Sequence, residues 1–187
     1  MSSTSAPFGL QPIYHSSGSV RPQQFTLVDN YAATLLQNQP VKLGTNGTLQ
    51  PAAAGEAFIG VFQGVEFTDS DGRRRVSNKW IVNTQGSDVI AYATSDPQIV
   101  YQIQSDNTLN LTNIGNQADT TVAGSGSTVV GLSQMMLDTA TLVTSGVAQL
   151  RIVGLTPYAN NAWGDTYVVA QVEISEHQFI NPIGAIA

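Results

Sequence analysis

Short runs of alternating apolar and polar residues, separated by Gly, Asn, Asp and Pro, dominate the chain. The clearest surrounds Ile90 to Gln104. Ile99, Tyr101 and Ile103 alternate with Val100, Gln102 and Gln104, a period of two that puts the large apolar groups on one face. Ile90 and Tyr92 repeat the pattern before Ser95-Asp96-Pro97. Pro fixes its own φ and pushes the residue before it out of the helical region, so the segment reads as strand, tight turn, strand.

The rest of the chain is built similarly. Thr45-Asn46-Gly47 between Val41-Lys42-Leu43 and Thr48-Leu49-Gln50 is a hairpin signal. Phe58 to Phe67 predicts a long strand with Phe58, Gly60, Phe62 and Gly64 on one face and Ile59, Val61 and Val65 on the other. Its glycines point to a bulge or a close backbone approach. Asp69-Ser70-Asp71-Gly72 turns the chain, and Arg73 to Trp80 returns with Val76 and Trp80 inward. Leu150 to Leu155 is a strand, and Tyr167 to Ser175 alternates most cleanly, with Val168, Ala170, Val172 and Ile174 inward and Gln171, Glu173 and Ser175 outward. Ala32 to Gln37 reads as a helical turn; Leu132 to Leu137 reads equally as helical turn or strand. About eight to ten short strands with no amphipathic helix predict an all-β fold, an antiparallel sandwich or barrel of jelly-roll-like type with an extended N-terminal arm.

The ends differ from this middle. Residues 1 to 5 are small and polar, and disorder is expected there. Residues 6 to 15 carry Pro7, Phe8, Leu10, Pro12, Ile13 and Tyr14. Two prolines five apart exclude a helix or a central strand, so the segment is laid over its own core or reaches a neighbour. Ser16 to Ser19 is a flexible joint. The last residues are apolar and uncharged, with Phe179, Ile180, Ile183 and Ile186 as self-association candidates. The expected organisation is an arm over 1–20, a β-domain over 21–180 and a tail over 181–187.

Composition narrows the function. Only 11% of residues are charged, against 42% hydrophobic; about 25% charged is usual. A polar surface of Ser, Thr, Asn and Gln suits a protein packed against others. A net charge of −6 argues against nucleic acid as a partner. Arg73, Arg74, Arg75 and Lys79 form the one basic cluster, read as a solvated turn or a contact to an acidic protein surface. The absence of cysteine excludes disulfide and thiolate chemistry. The opening residues lack the regions of a secretion signal and no apolar run approaches the length of about 18 residues that spans a bilayer, so cytosolic synthesis and no membrane partner are expected. Asn46-Gly47-Thr48 and Asn110-Leu111-Thr112 match the glycosylation pattern and are read as turns.

Chemistry is sparse. His15 and His177 lack a partner at metal-ligand spacing, since Glu176 and His177, as neighbours on a strand, point to opposite faces. A Ser-His-Asp constellation is spatial and is not read from one sequence, but no G-x-S-x-G elbow occurs. Asp69-Ser70-Asp71-Gly72 opens like a calcium loop, but Arg73 to Arg75 stand where oxygen ligands are needed. Trp80, Trp163 and Tyr158 are the candidates for a sugar-binding face, with core packing the alternative use. No catalytic, cofactor or metal residue is assigned.

Five stretches together resemble the head decoration, or cement, proteins of tailed bacteriophages. They are Ala6 to His15, Gly60 to Glu66, Asp96 to Gln104, Gly131-Leu132-Ser133 leading to Leu137-Asp138, and Leu150 to Leu155 followed by Asn161-Ala162. The resemblance covers about Ala6 to Glu173; Ala-Pro-Phe-Gly-Leu combined with the Asp-Pro strand is its most specific part. The Arg73 to Arg75 run and the apolar extension after His177 depart from the pattern. The resemblance implies a non-enzymatic structural protein on the outer capsid surface of the virion, made in the host cytoplasm. It would be a dimer or trimer that bridges neighbouring major capsid protein subunits. Pro7, Phe8, Leu10, Pro12, Ile13 and Tyr14 are the first candidates for the capsid contact, and Arg73, Arg74 and Arg75 the second. The alternative is a virion-attached β-module for host or carbohydrate recognition.

Overall fold

A computed structural model describes residues 4–122 and 126–185. One sheet has five strands in the order β1 (Gln11–Tyr14), β10 (Val100–Gln104), β15 (Val169–Ile174), β14 (Leu150–Leu155) and β11 (Gln117–Ala118). The other runs β2 (Gln23–Thr26), β9 (Gly86–Ala93), β6 (Gly60–Asp69), β4 (Pro40–Leu43) and β5 (Leu49–Pro51), with β7 (Arg74–Ser77) also paired to β6. Two short ribbons join β3 (Leu35–Leu36) to β8 (Lys79–Trp80) and β12 (Gly126–Ser127) to β13 (Leu132–Ser133). These strand pairs are antiparallel. The helical elements among the described residues are two 3-10 turns, Leu111–Asn113 and Thr139–Thr141. The fold is an all-β, antiparallel sandwich.

Two apolar clusters hold it together. One gathers Tyr101 and Ile103 of β10, Leu150 and Ile152 of β14 and Ala170, Val172 and Ile174 of β15 with Leu10, Phe58 and Val61. The second gathers Val41, Ile59, Phe62, Val65, Trp80, Val89, Ala91 and Ala93. Residues 58–62 are the wall between them, with Phe58 and Val61 in one cluster and Ile59 and Phe62 in the other. The simple alternation expected over Phe58 to Phe67 therefore fails twice: the face changes across Gly60, which separates Ile59 from Val61, and a register shift between Phe62 and Gly64 leaves Phe62 and Val65 in the same cluster. The close approach is at Gly60, where a Cβ would stand 1.7 Å from the Thr94 carbonyl oxygen.

The alternation over β15 holds: Val168, Ala170, Val172 and Ile174 are fully buried, although Ser175, expected outward, is buried as well and donates to the Ala148 carbonyl. The Asn-Gly hairpin forms between β4 and β5, with the left-handed conformation at Gly47 alone and the Asn46 side chain accepting from the Thr48 amide. Four expectations are corrected. Ile90 to Gln104 is not a hairpin: β9 and β10 lie in different sheets, and the Asp-Pro turn carries the chain from one layer to the other. On β9 the buried face is Val89, Ala91 and Ala93, small groups beside Phe62 and Trp80, while Ile90 and Tyr92 are half-buried on the opposite face. Val76 is 79% exposed rather than inward, on a strand whose outer edge is unpaired among the described residues. Ala32 to Gln37 forms β3 and a bridge, not a helical turn, because Leu35 and Leu36 pair with Trp80 and Lys79.

Candidate functional site

The chain's two ends meet on the outer face of the five-stranded sheet. Antiparallel pairing aligns Tyr14 of β1, Val100 of β10, Glu173 of β15 and Arg151 of β14 in one cross-strand row. Side chains opposite one another share a face, so this row is a surface. The tail crosses near it: the Ile183 amide donates to the Ser175 carbonyl and the Gln117 side chain donates to the Ile183 carbonyl. Between arm and tail opens a groove of about 610 Å³ lined by Tyr14, Pro97, Val100, Ile180 and Ile183, with Ser16, Gln98 and Glu173 at its polar margin. Tyr14 is 56% exposed, Ile180 38% and Ile183 36%. Glu173, the one charged lining residue, is paired with Arg151 at 2.7 Å, which leaves the groove apolar and electrostatically quiet.

The arm candidates divide by environment. Leu10 is fully buried among the core residues, and its amide donates to the Asn38 carbonyl. It is corrected from contact residue to core residue, because its apolar surface is already used within the chain. Pro7, Phe8 and Pro12 are half-buried, with the Phe8 carbonyl held by the Asn38 side chain. Ile13 and Tyr14 are exposed. Among the tail candidates, Phe179 is 58% exposed with its ring 5.6 Å from that of His177. Ile186 lies outside the described residues.

The basic run sits on the β6–β7 hairpin. Arg74 is paired with Glu66, and Arg75 with Asp69 at 2.7 Å. Hydrogen bonds from these guanidinium groups, joined at Asp69 by the Arg73 backbone amide, hold both carboxyls below their usual range. Asp69 also accepts from the Asp71 amide, and its Oδ1 is thereby a turn-forming acceptor rather than an open metal ligand. Arg73 projects from the exposed hairpin. Lys79 donates to the Thr128 and Val129 carbonyls. Of the four basic groups, Arg73 is the one for which no ion pair or side-chain hydrogen bond is found among the described residues.

Spatial contacts do assemble a Ser-His-Asp row that the sequence did not reveal. Nδ1 of His15 is 2.7 Å from Ser17 Oγ, and Nε2 is 3.2 Å from Asp96 Oδ2. The three line a 320 Å³ pocket with Ser19, Arg21, Gln23 and Ile99. The same Nδ1 also accepts from the Ser17 amide, and the Gly18 amide, the natural oxyanion donor next to a nucleophilic Ser17, is spent on the His15 carbonyl. The row is a loop fastening between the β1–β2 and β9–β10 connections. Pairing of β1 with β10 brings His15 and Asp96 together; residues 81 apart in sequence carry no local signal of it.

The three aromatics considered for sugar binding do not form a face. Trp80 is buried and donates to the Tyr31 carbonyl, Trp163 packs against the first cluster, and Tyr158 alone is exposed, with its hydroxyl on Gln102. No group of three or more His, Asp or Glu that could hold a metal occurs among the described residues, and no helix there is long and apolar enough to cross a membrane. No protein-family model matches the chain, and no curated protein or solved structure matches it either.

Proposed function

We propose that this chain is a structural virion protein that binds the outer surface of a phage capsid and bridges neighbouring major capsid subunits. The observation that carries the reading is the apolar groove between Tyr14 and the Ile180–Ile183 segment, open on the sheet's outer face. A low-charge surface favours such a role, since few long charged side chains need desolvation on assembly. A contact shared between adjacent capsid subunits forms only where the lattice spacing is right. Binding then stabilises that lattice by mass action, and several weak contacts per particle add through multivalency.

In this reading Ile13 and Tyr14 touch the capsid, Pro7, Phe8 and Pro12 set the course of the arm, and Arg73 approaches an acidic patch. Phe179, Ile180 and Ile183 serve contacts between copies in a dimer or trimer. The variant Tyr14→Ser/Ile180→Ser removes apolar surface from both walls of the groove while sparing the core. It is expected to melt within a few degrees of the parent and to decorate expanded heads at least tenfold more weakly. Unchanged occupancy at equal protein concentration would refute the assignment of the groove.

A further inference from the structure

The two histidines come from opposite ends of the chain and meet the same turn. His15 follows β1 and reaches Asp96 from outside. His177 follows β15 and is buried, 2% exposed, against Phe58 and Ser95-Asp96. Their protons are placed differently. Nδ1 of His177 accepts the Phe179 amide at 3.2 Å, so the neutral ring carries its proton on Nε2. Nε2 is buried with no well-aligned hydrogen-bond partner among the described residues, and the Ile59 and Ser95 carbonyls near the ring favour its charged form.

A second proton has one place to go, Nδ1, and that position is taken. An N–H at Nδ1 points at the Phe179 N–H, two donors face to face. We propose that His177 is a proton-operated latch for the tail: protonation at Nδ1 expels the Phe179 amide, opens the turn over 177–179 and, with it, releases Ile180 and Ile183 from the wall of the apolar groove. The latch needs no knowledge of what fills the groove and is independent of the capsid reading.

The charged groups around the ring are few. Asp96 on the β9–β10 crossover favours the cation, and Glu176 precedes the histidine in sequence. Residues 57–59 and 178–185 bring no charged side chain. Burial outweighs the Ile59 and Ser95 carbonyls and Asp96 together and lowers the His177 pKa, while burial, with Asp119 nearby, raises that of Glu176. For a histidine with a lowered folded value, the closed state is fully favoured above the unfolded value of about 6.5 and is lost as pH falls through the folded value. Acid therefore loosens the tail.

Amide hydrogen exchange read residue by residue tests the latch. After correction for intrinsic rates, the amides of Phe179, Ile183 and Ala185 are expected to exchange faster as pH falls below about 6.5, by up to about tenfold per unit for one linked proton, while those of β10 and β15 do not. His177→Asn supplies an acceptor near the Nδ1 position that does not titrate, and its tail exchange should lose the acid response. His15→Asn and Glu176→Gln should both retain it. Should the Asn variant not fold, the wild-type ring titration of His177 by NMR must share its midpoint with tail opening. Tail exchange that ignores pH overturns the proposal. So does a response that survives in His177→Asn, one that disappears in Glu176→Gln, or midpoints that differ.

Discussion

The arm and the tail have similar compositions, apolar with proline and few charges, yet the fold holds them by different means. The arm is built in. β1 pairs with β10, Leu10 is fully buried, and Gln104 binds the Ala6 amide and the Thr4 carbonyl with its two side-chain groups. Gly9 is left-handed with φ 77°, and a Cβ there would come 2.5 Å from the Asn38 carbonyl. The tail is laid on. Its backbone is held by scattered hydrogen bonds, from the amides of Phe179, Ile180, Ile183 and Ala185 and to the Ile183 carbonyl, and Phe179, Ile180 and Ile183 face solvent. Composition alone does not separate a structural end from an adhesive one; what separates them is whether the large side chains find a cavity.

The largest expected effect follows from the buried plug. Leu10→Ala should cost about 2–5 kcal/mol, the range for emptying a buried leucine site, seen as a drop in the urea midpoint. Deleting residues 1–15 should cost more, because the β1 ladder goes with it. A module that stays folded without the arm would show that the arm is as dispensable as the tail. Truncation after Gln178 should cost far less, below about 2 kcal/mol for a few exposed hydrogen bonds. If it unfolds the protein, the contrast between the ends collapses.

Much of this contrast was hidden in the sequence for a definite reason. Period-two alternation reports which residues share a face, and it served well for β15, where one face is buried along the whole strand. It does not report which strand lies alongside. Ile90 to Gln104 therefore looked like a hairpin, although its turn crosses between sheets. Nor does it say which face of a strand wins the core, and on β9 the alanines fit beside Phe62 and Trp80 where Ile90 and Tyr92 had been expected. Leu10 and Tyr14 are equally apolar in sequence, but only the pairing of β1 with β10 decides that one enters the core and the other lines the groove. The groove itself depends on residues from both ends of the chain and had no local signature.

The smallest expected effect concerns the basic hairpin. Arg74 and Arg75 neutralise Glu66 and Asp69, which leaves Arg73 to meet a partner. Arg73→Ser should weaken head binding at low salt and have little effect near about 1 M salt, where exposed charges are screened beyond about 3 Å. Arg74→Ser should instead loosen the β6–β7 hairpin. Equal salt responses from the two variants would remove Arg73 as a special contact.

The central claim is that binding requires the lattice of the mature head. Co-sedimentation of the purified protein with expanded and unexpanded empty shells, at equal concentrations, tests it most directly. The groove reading predicts saturable binding to expanded shells and none to unexpanded ones, with Tyr14→Ser/Ile180→Ser lost from the pellet. Equal binding to both shells, or to neither, would contradict it.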